Sequence, residues 1–255
     1  MQIEGSVALV TGANRGLGKA FVTMLLRRGA RVVYGCARNP GDGVDPDATP
    51  VELDITDASD VAAAAGRCRD VTLLINNAAL AHQSPLLSAP TMDIARQEME
   101  TNYFGTLAVC RAFAPVLAAN GGGALVNMLS ITSFFSYPGM GSLCATKAAA
   151  WSLTNAVRME LRAQGTLVVG VHSGFIDTRL AAGFDGPKHP PEDVAGLVLD
   201  AVEAGREEVL ADERTRTMKQ SLPRDLELIY PELESPSCGS SRPGGATVTG
   251  NRVQS

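Results

Sequence analysis

Thr11-Gly12-Ala13-Asn14-Arg15-Gly16-Leu17-Gly18 joins an apolar run, Val7-Ala8-Leu9-Val10, to a segment with apolar residues at helical spacing: Leu17, Phe21, Met24 and Leu25. The short apolar run reads as a strand buried on both faces. The segment from Leu17 to Arg28 reads as a helix, with Gly29 as its stop. The glycines between them are spaced G-x-x-x-G-x-G. They let the backbone turn tightly and approach a pyrophosphate with no Cβ in the way. The helix start behind them offers free N–H groups and a positive dipole end to an anion. Glycines also make plain turns, so it is the strand before and the helix after that carry the argument. On this reading Gly12, Asn14, Arg15, Gly16, Leu17 and Gly18 form a phosphate-binding turn.

The same alternation continues outward. Arg31–Gly35, Val51–Leu53, Leu73–Ile75, Ala124–Met128, Leu167–Val171 and Glu208–Leu210 read as strands. Ser59–Arg69, Thr91–Ala119, Leu143–Arg162 and Pro191–Ala204 read as helices. Pro115 is expected to bend or divide the second of these, and Pro191 with Glu192 and Asp193 fits a helix start. Alternating βα units imply an α/β fold: a Rossmann-type, doubly wound parallel sheet with helices on both faces. We expect a single domain over 1–234. Residues 235–255, rich in Ser, Gly and Pro, are expected to form a disordered tail, because they cannot bury enough apolar surface to offset ordering.

The totals narrow the function. At 255 residues, 45% hydrophobic and 19% charged, the chain has an enzyme-like composition. A net charge of -5 without a block of like charge argues against nucleic acid as a partner. The five cysteines (Cys36, Cys68, Cys110, Cys144, Cys238) are widely spaced and only three histidines are present, so no metal site is expected. The cysteines read as small buried hydrophobes of a reducing compartment. No apolar stretch reaches about 18 residues, and Met1–Ser6 lacks a basic leader, so neither a membrane span nor a signal peptide is predicted and the expected location is cytoplasmic.

The second specificity point of a dinucleotide site lies about 20 residues beyond the glycines, where an acid would hold the ribose 2′-OH of NAD. Arg38 stands there, and Arg15 adds a cation within the turn. A guanidinium suits a 2′-phosphate, so the expected cofactor is NADP(H). Two solvated surface arginines are the alternative.

Together these residues resemble the short-chain dehydrogenase/reductase family, over roughly residues 5–222. Asp54 in Leu53-Asp54-Ile55 matches the acid that contacts adenine, and Asn77 lies in Asn76-Asn77-Ala78-Ala79, the motif after the fourth strand. Asn102 matches the active-site asparagine, Ser130 the catalytic serine and Lys147 the active-site lysine. Gly174 and Thr178 match the segment bordering the nicotinamide. The resemblance implies an oxidoreductase acting on a small-molecule carbonyl or alcohol. Ser130 would polarise the oxygen, Lys147 would hold the ribose and Asn102 would order a water chain. It also implies a homodimer or homotetramer, paired through the Leu143–Arg162 helix and the long helix before it.

Three positions depart from the family pattern. Ala79 replaces a usual glycine and Ser173 a usual proline. The third matters more. The family's tyrosine lies four residues before the lysine and thirteen after the serine, and both counts lead to Leu143. Leucine neither donates nor accepts a proton, and losing a positioned acid–base group removes about 10²–10⁴ in rate. Three readings stay open: a reductase with a substitute donor, a cofactor-binding protein performing a non-redox cyclisation or isomerisation, and a pseudoenzyme. Tyr137 is the leading substitute donor, with Tyr103, Cys144, His172 or a water behind it. Phe134, Phe135, Tyr137 and Met140 read equally as a substrate wall or as loop packing. His172 reads mainly as a packed histidine, and the 181–190 segment as a short lid.

Overall fold

The computed structural model describes residues 1–41, 43–82, 84–184 and 186–230. The expected tail, 235–255, lies outside them, as does Cys238. The chain divides into two compact units, Met1–Gln220 and Ser221–Ser255.

In the first unit the strands are β1 (Val7–Thr11), β2 (Val32–Ala37), β3 (Thr49–Glu52), β4 (Leu73–Asn76), β5 (Ala124–Met128), β6 (Leu167–His172) and β7 (Glu208–Leu210). They form one sheet in the order β3-β2-β1-β4-β5-β6-β7. Every pairing is parallel, with Leu9 opposite Tyr34 on one side and Leu74 on the other. The helices between them are α1 (Gly16–Arg27), α2 (Ala58–Arg67), α3 (Asp93–Met99), α4 (Thr106–Ala119), α5 (Gly141–Leu161), α6 (Pro191–Glu203) and α7 (Glu213–Ser221). The second unit's described residues hold a 3-10 turn, Leu222–Arg224, and a short helix α8, Asp225–Leu228.

Strand periodicity splits the core into two layers. Ala8, Val10, Leu73, Ile75, Val126 and Val169 pack against Phe21 and Leu25 of α1 and Val198 and Leu199 of α6. Val7, Leu9, Leu74, Leu125 and Val168 face Val61 of α2, Phe113 and Leu117 of α4, and Leu153 of α5. A sheet covered on both faces needs the continuous apolar strands seen in the sequence. The doubly wound parallel sheet is therefore as expected.

Two elements differ from the sequence reading. The long helix around residue 100 is interrupted by a π-helical stretch, Glu100–Gly105, and not by Pro115, which lies inside α4. Pro115 is exposed on α4, where it lacks the N–H that would bond the Arg111 carbonyl. Helix α7 was not expected. It buries only Thr215, so it has no apolar stripe to reveal it.

The first three strands run outward from β1 to β3, and the chain then crosses back to β4 on the other side of β1. This reversal opens a crevice at the carboxyl ends of β1 and β4, the usual ligand position of open α/β sheets.

Candidate cofactor crevice and active site

The glycine turn is built as a cradle. The Thr11 hydroxyl oxygen accepts the backbone N–H groups of Asn77 at 2.9 Å and Ala78 at 3.0 Å. The Asn77 amide donates back to the carbonyls of Thr11 at 2.9 Å and Gly12 at 3.3 Å. These bonds fasten the turn after β1 to the segment after β4. A Cβ on Gly18 would lie 2.0 Å from the Gly12 carbonyl oxygen, so only glycine lets α1 start so close to the turn. Gly16 (φ +52°) faces Thr178, whose methyl would be 3.1 Å from a Cβ there. Thr178 is thereby placed beside the turn.

The start of α1 is open. Its N-cap residue, Arg15, is extended and makes no side-chain cap, and its first turn holds no acid. Helix α2 is the contrast. There the Asp57 carboxylate accepts from the N–H groups of Ser59 at 2.8 Å and Asp60 at 3.1 Å. The free N–H groups of α1 therefore remain for an anion from outside the chain. Asn14 and Leu17 lie in the same turn, Leu17 buried beneath it.

On the β2 side, Ala13 N–H donates to the Cys36 carbonyl at 2.9 Å, bringing the turn beside the end of that strand. Arg38 follows that strand. Arg15 and Arg38 are both exposed, and among the described residues neither guanidinium has a carboxylate partner. Asp54 accepts the Thr56 N–H at 2.9 Å and its hydroxyl at 2.7 Å through Oδ1, and among the described residues Oδ2 takes no hydrogen bond, so it could accept from a ligand amine.

The chemical groups gather at the ends of β5 and α5. Ser130 Oγ accepts from Thr132 N–H at 3.1 Å and from the Thr132 hydroxyl at 3.0 Å. Its own proton is left to donate. Lys147 Nζ donates to the Met128 carbonyl at 2.9 Å, two residues before Ser130, and burial lowers its pKa from the ordinary 10.5 to about 8. Asn102, in the π-helical stretch, is buried and fully engaged. Its oxygen accepts Leu80 N–H at 2.8 Å, and its amide donates to the Leu80 carbonyl at 2.8 Å and to Thr146 Oγ1 at 3.0 Å.

Leu143 lies one helical turn before Lys147 on α5 and is buried with Met140 and Cys144. Tyr137 and Phe184 pack on the same cluster. The Tyr137 ring also meets Phe135 at 6.2 Å, Phe175 at 6.5 Å and Phe184 at 6.2 Å, and Phe175 stacks on Phe184 at 4.3 Å. Among the described residues the Tyr137 hydroxyl has no hydrogen-bond partner. Tyr103 packs against the α4 core layer, and burial pushes the Cys144 thiol up, so it stays protonated. Phe134 is internal packing. It meets Trp151 edge-on at 5.0 Å and stacks on His172 at 4.3 Å.

Three supporting residues were not legible in the sequence. Glu98 is fully buried and accepts His82 N–H and the Ser142 hydroxyl, each at 2.6 Å, pinning the loop after β4 to the start of α5. Thr146 carries the Asn102 bond above. Asp212 accepts Gly174 N–H at 2.7 Å, Thr215 N–H at 2.8 Å and the Thr215 hydroxyl at 2.9 Å. Burial raises its pKa, but these bonds and nearby His189 outweigh burial and hold it below the usual value. Each of these residues acts on a partner far away in sequence or, at Thr146, lacks any local motif.

The four described cysteines are buried and unpaired. Among the described residues no three His, Cys, Asp or Glu side chains cluster as metal ligands, and no helix is long and apolar enough to cross a membrane.

Residues 6–187 match the family model described as short chain dehydrogenase. A solved short chain dehydrogenase from Burkholderia cenocepacia, in complex with NADP, is 44% identical. The similarity covers 92% of this chain and 100% of that one, with a TM-score of 0.87. A sorbitol dehydrogenase of Cereibacter sphaeroides is 33% identical over 195 residues, 72% of this chain and 76% of its own. A 1-deoxy-11-beta-hydroxypentalenate dehydrogenase of Streptomyces avermitilis is 31% identical over 273 aligned positions, covering 95% of this chain and all of its own.

Proposed function

The chain belongs to the short-chain dehydrogenase family, and we propose that it is an NADP(H)-dependent oxidoreductase acting on a small-molecule carbonyl or alcohol, with Leu143 at the position of the family's tyrosine. The observation that carries the reading is Ser130. Its oxygen takes two bonds from Thr132, which leaves its own proton to donate, and Lys147 is tied to the Met128 carbonyl two residues before it.

The crevice fits a dinucleotide. The uncapped start of α1 and the Cβ-free cradle at Gly18 suit a diphosphate, and Arg15 and Arg38 suit a 2′-phosphate. Asp54 and Asn77 border the adenine side, and Thr178 borders the nicotinamide side. When bound, the nicotinamide supplies or takes a hydride at C4. Ser130 donates its hydrogen bond to the substrate oxygen. Lys147 has two ammonium protons beyond the Met128 bond for ribose hydroxyls. Asn102 holds the backbone at Leu80 and the Thr146 side chain of α5. The proton comes through Tyr137, whose ring lies on the Leu143 cluster and whose hydroxyl is unengaged among the described residues. The same reading makes the protein a cytoplasmic homodimer or homotetramer.

A second reading is favoured by one observation: the place of the usual proton donor is buried and apolar. It takes the protein as a cofactor-binding member without reductase activity, either a non-redox cyclase or isomerase, or a structural partner.

Assays of NADPH oxidation against a panel of ketones and aldehydes separate the two. The first reading expects turnover by the wild type, and a loss of about 100-fold or more in Tyr137→Phe. Turnover by Leu143→Tyr alone, with an inert wild type, supports the second.

A further inference from the structure

Three consecutive residues at the end of β5 are tied to three consecutive residues at the end of β6. Leu129 N–H donates to the Val171 carbonyl at 2.8 Å, and Ile131 N–H donates to the Ser173 carbonyl at 2.8 Å. These two bonds continue the parallel ladder, and a ladder of this kind engages alternate residues only. The third tie comes from a side chain. His172 Nδ1 lies 3.1 Å from the carbonyl oxygen of Ser130.

A carbonyl oxygen can only accept, so the ring proton sits on Nδ1 and Nε2 carries the lone pair. The ring has no exposure to solvent. It is stacked on Phe134 at 4.3 Å and met edge-on by Trp151 at 5.8 Å. Nε2 has no hydrogen-bond partner among the described residues, and the nearest carboxylate, Glu208, is 3.9 Å away. A histidine that served only to fill the core would be replaceable by an apolar ring without that unpaired nitrogen. Among the described residues the ring's one hydrogen bond is to Ser130, the residue read above as donating to the substrate oxygen.

We propose that His172 is a positioning residue for Ser130: its Nδ1–H, held in place by the Phe134 and Trp151 rings, fixes the Ser130 carbonyl and so the direction in which the Ser130 hydroxyl donates. The proposal rests on the reading of Ser130 as the group that polarises a substrate carbonyl. The charged groups around the ring are Glu208 and Lys219, which pair with each other, and Lys147. Burial, against the raising influence of the Ser130 bond and Glu208, lowers the His172 pKa to about 4, so the neutral form with one ring proton is the working one.

Two variants and one spectrum test this. His172→Phe keeps the ring packing and removes the donor, whereas His172→Asn keeps an N–H near the place of Nδ1. Against a carbonyl substrate, His172→Phe is expected to lower kcat by about 10- to 100-fold, the scale of a misdirected group. Its KM and NADPH affinity should stay within about twofold. His172→Asn is expected to recover most of the loss, and His172→Phe added to Ser130→Ala to cost nothing further. Unchanged kcat in His172→Phe, with Ser130→Ala impaired, overturns the proposal and leaves the reading of Ser130 standing. Unchanged kcat in Ser130→Ala overturns both. Long-range proton–nitrogen NMR of the wild type needs neither turnover nor a variant: it should show His172 as the Nδ1–H tautomer at pH 7, and an Nε2–H tautomer overturns the proposal.

Discussion

At the scale of single residues, the site is defined by which polar atoms are spent and which are left. Ser130 accepts twice and keeps its proton, Asn102 is fully engaged, and Lys147 has one of its three protons committed. Such differences are invisible in sequence, where all three residues stand out only by type and spacing. The reading of Leu143, by contrast, rests on counting alone: thirteen residues after Ser130 and four before Lys147. His172 gives a prediction of its own. Its folded value near 4 lies below the 6.5 of an unfolded histidine. Between those values the unfolded chain binds a proton that the folded chain does not, so stability rises with pH across that window. The contribution is complete above about pH 6.5 and is lost as the pH falls toward 4, on the order of 3 kcal/mol in all. Chemical denaturation at a series of pH values should show this slope in the wild type, and its absence in His172→Asn. Equal slopes in both would show that the histidine is not held neutral by burial.

At the scale of elements, the strand–turn–helix at residues 7–28 was legible because period, punctuation and glycine spacing agree there. The π-helical stretch at Glu100–Gly105 was not. A change of helical register leaves no compositional trace, and Pro115 offered a more visible but mistaken place for the break. Helix α7 was missed for want of an apolar stripe, and Asp212 with it, since its partner Gly174 is 38 residues away. Two glycines give a paired prediction. Gly18→Ala puts a Cβ against the Gly12 carbonyl and should cost several kcal/mol, or abolish coenzyme binding, or both. Gly66 lies in α2, and a methyl group added there would meet no heavy atom within 4 Å, so Gly66→Ala should stabilise by about 0.5–1 kcal/mol. Thermal melts with and without NADPH check both. A Gly18→Ala protein that melts and binds like the wild type would mean that the turn is not the tight cradle described.

At the scale of the molecule, the order of the sheet matters more than any one strand. The reversal between β1 and β4 creates the crevice, and the turn after β1, the motif after β4 and the serine after β5 all end there. Alternating strands and helices pointed to this arrangement, although the sequence carries no direct statement of strand order. The proposed assembly belongs to this scale too. Phe104, beside the start of α4, is 50% exposed, and Met159 of α5 is 73% exposed. An interface through these helices would cover both. Light scattering should give at least twice the mass of one chain, and Phe104→Asp with Met159→Asp should shift it toward one. A wild type that stays monomeric at high concentration would rule the assembly out.

The central claim is that the open start of α1 and two exposed arginines, neither with a carboxylate partner among the described residues, grip a dinucleotide bearing a 2′-phosphate. Calorimetric titration with NADPH and NADH tests it directly. Saturable heat is expected with NADPH, with binding at least about tenfold tighter than NADH, or about 1.4 kcal/mol, and with loss of that preference in Arg38→Ala. No heat with either coenzyme, or equal affinity for both in the wild type, would contradict it.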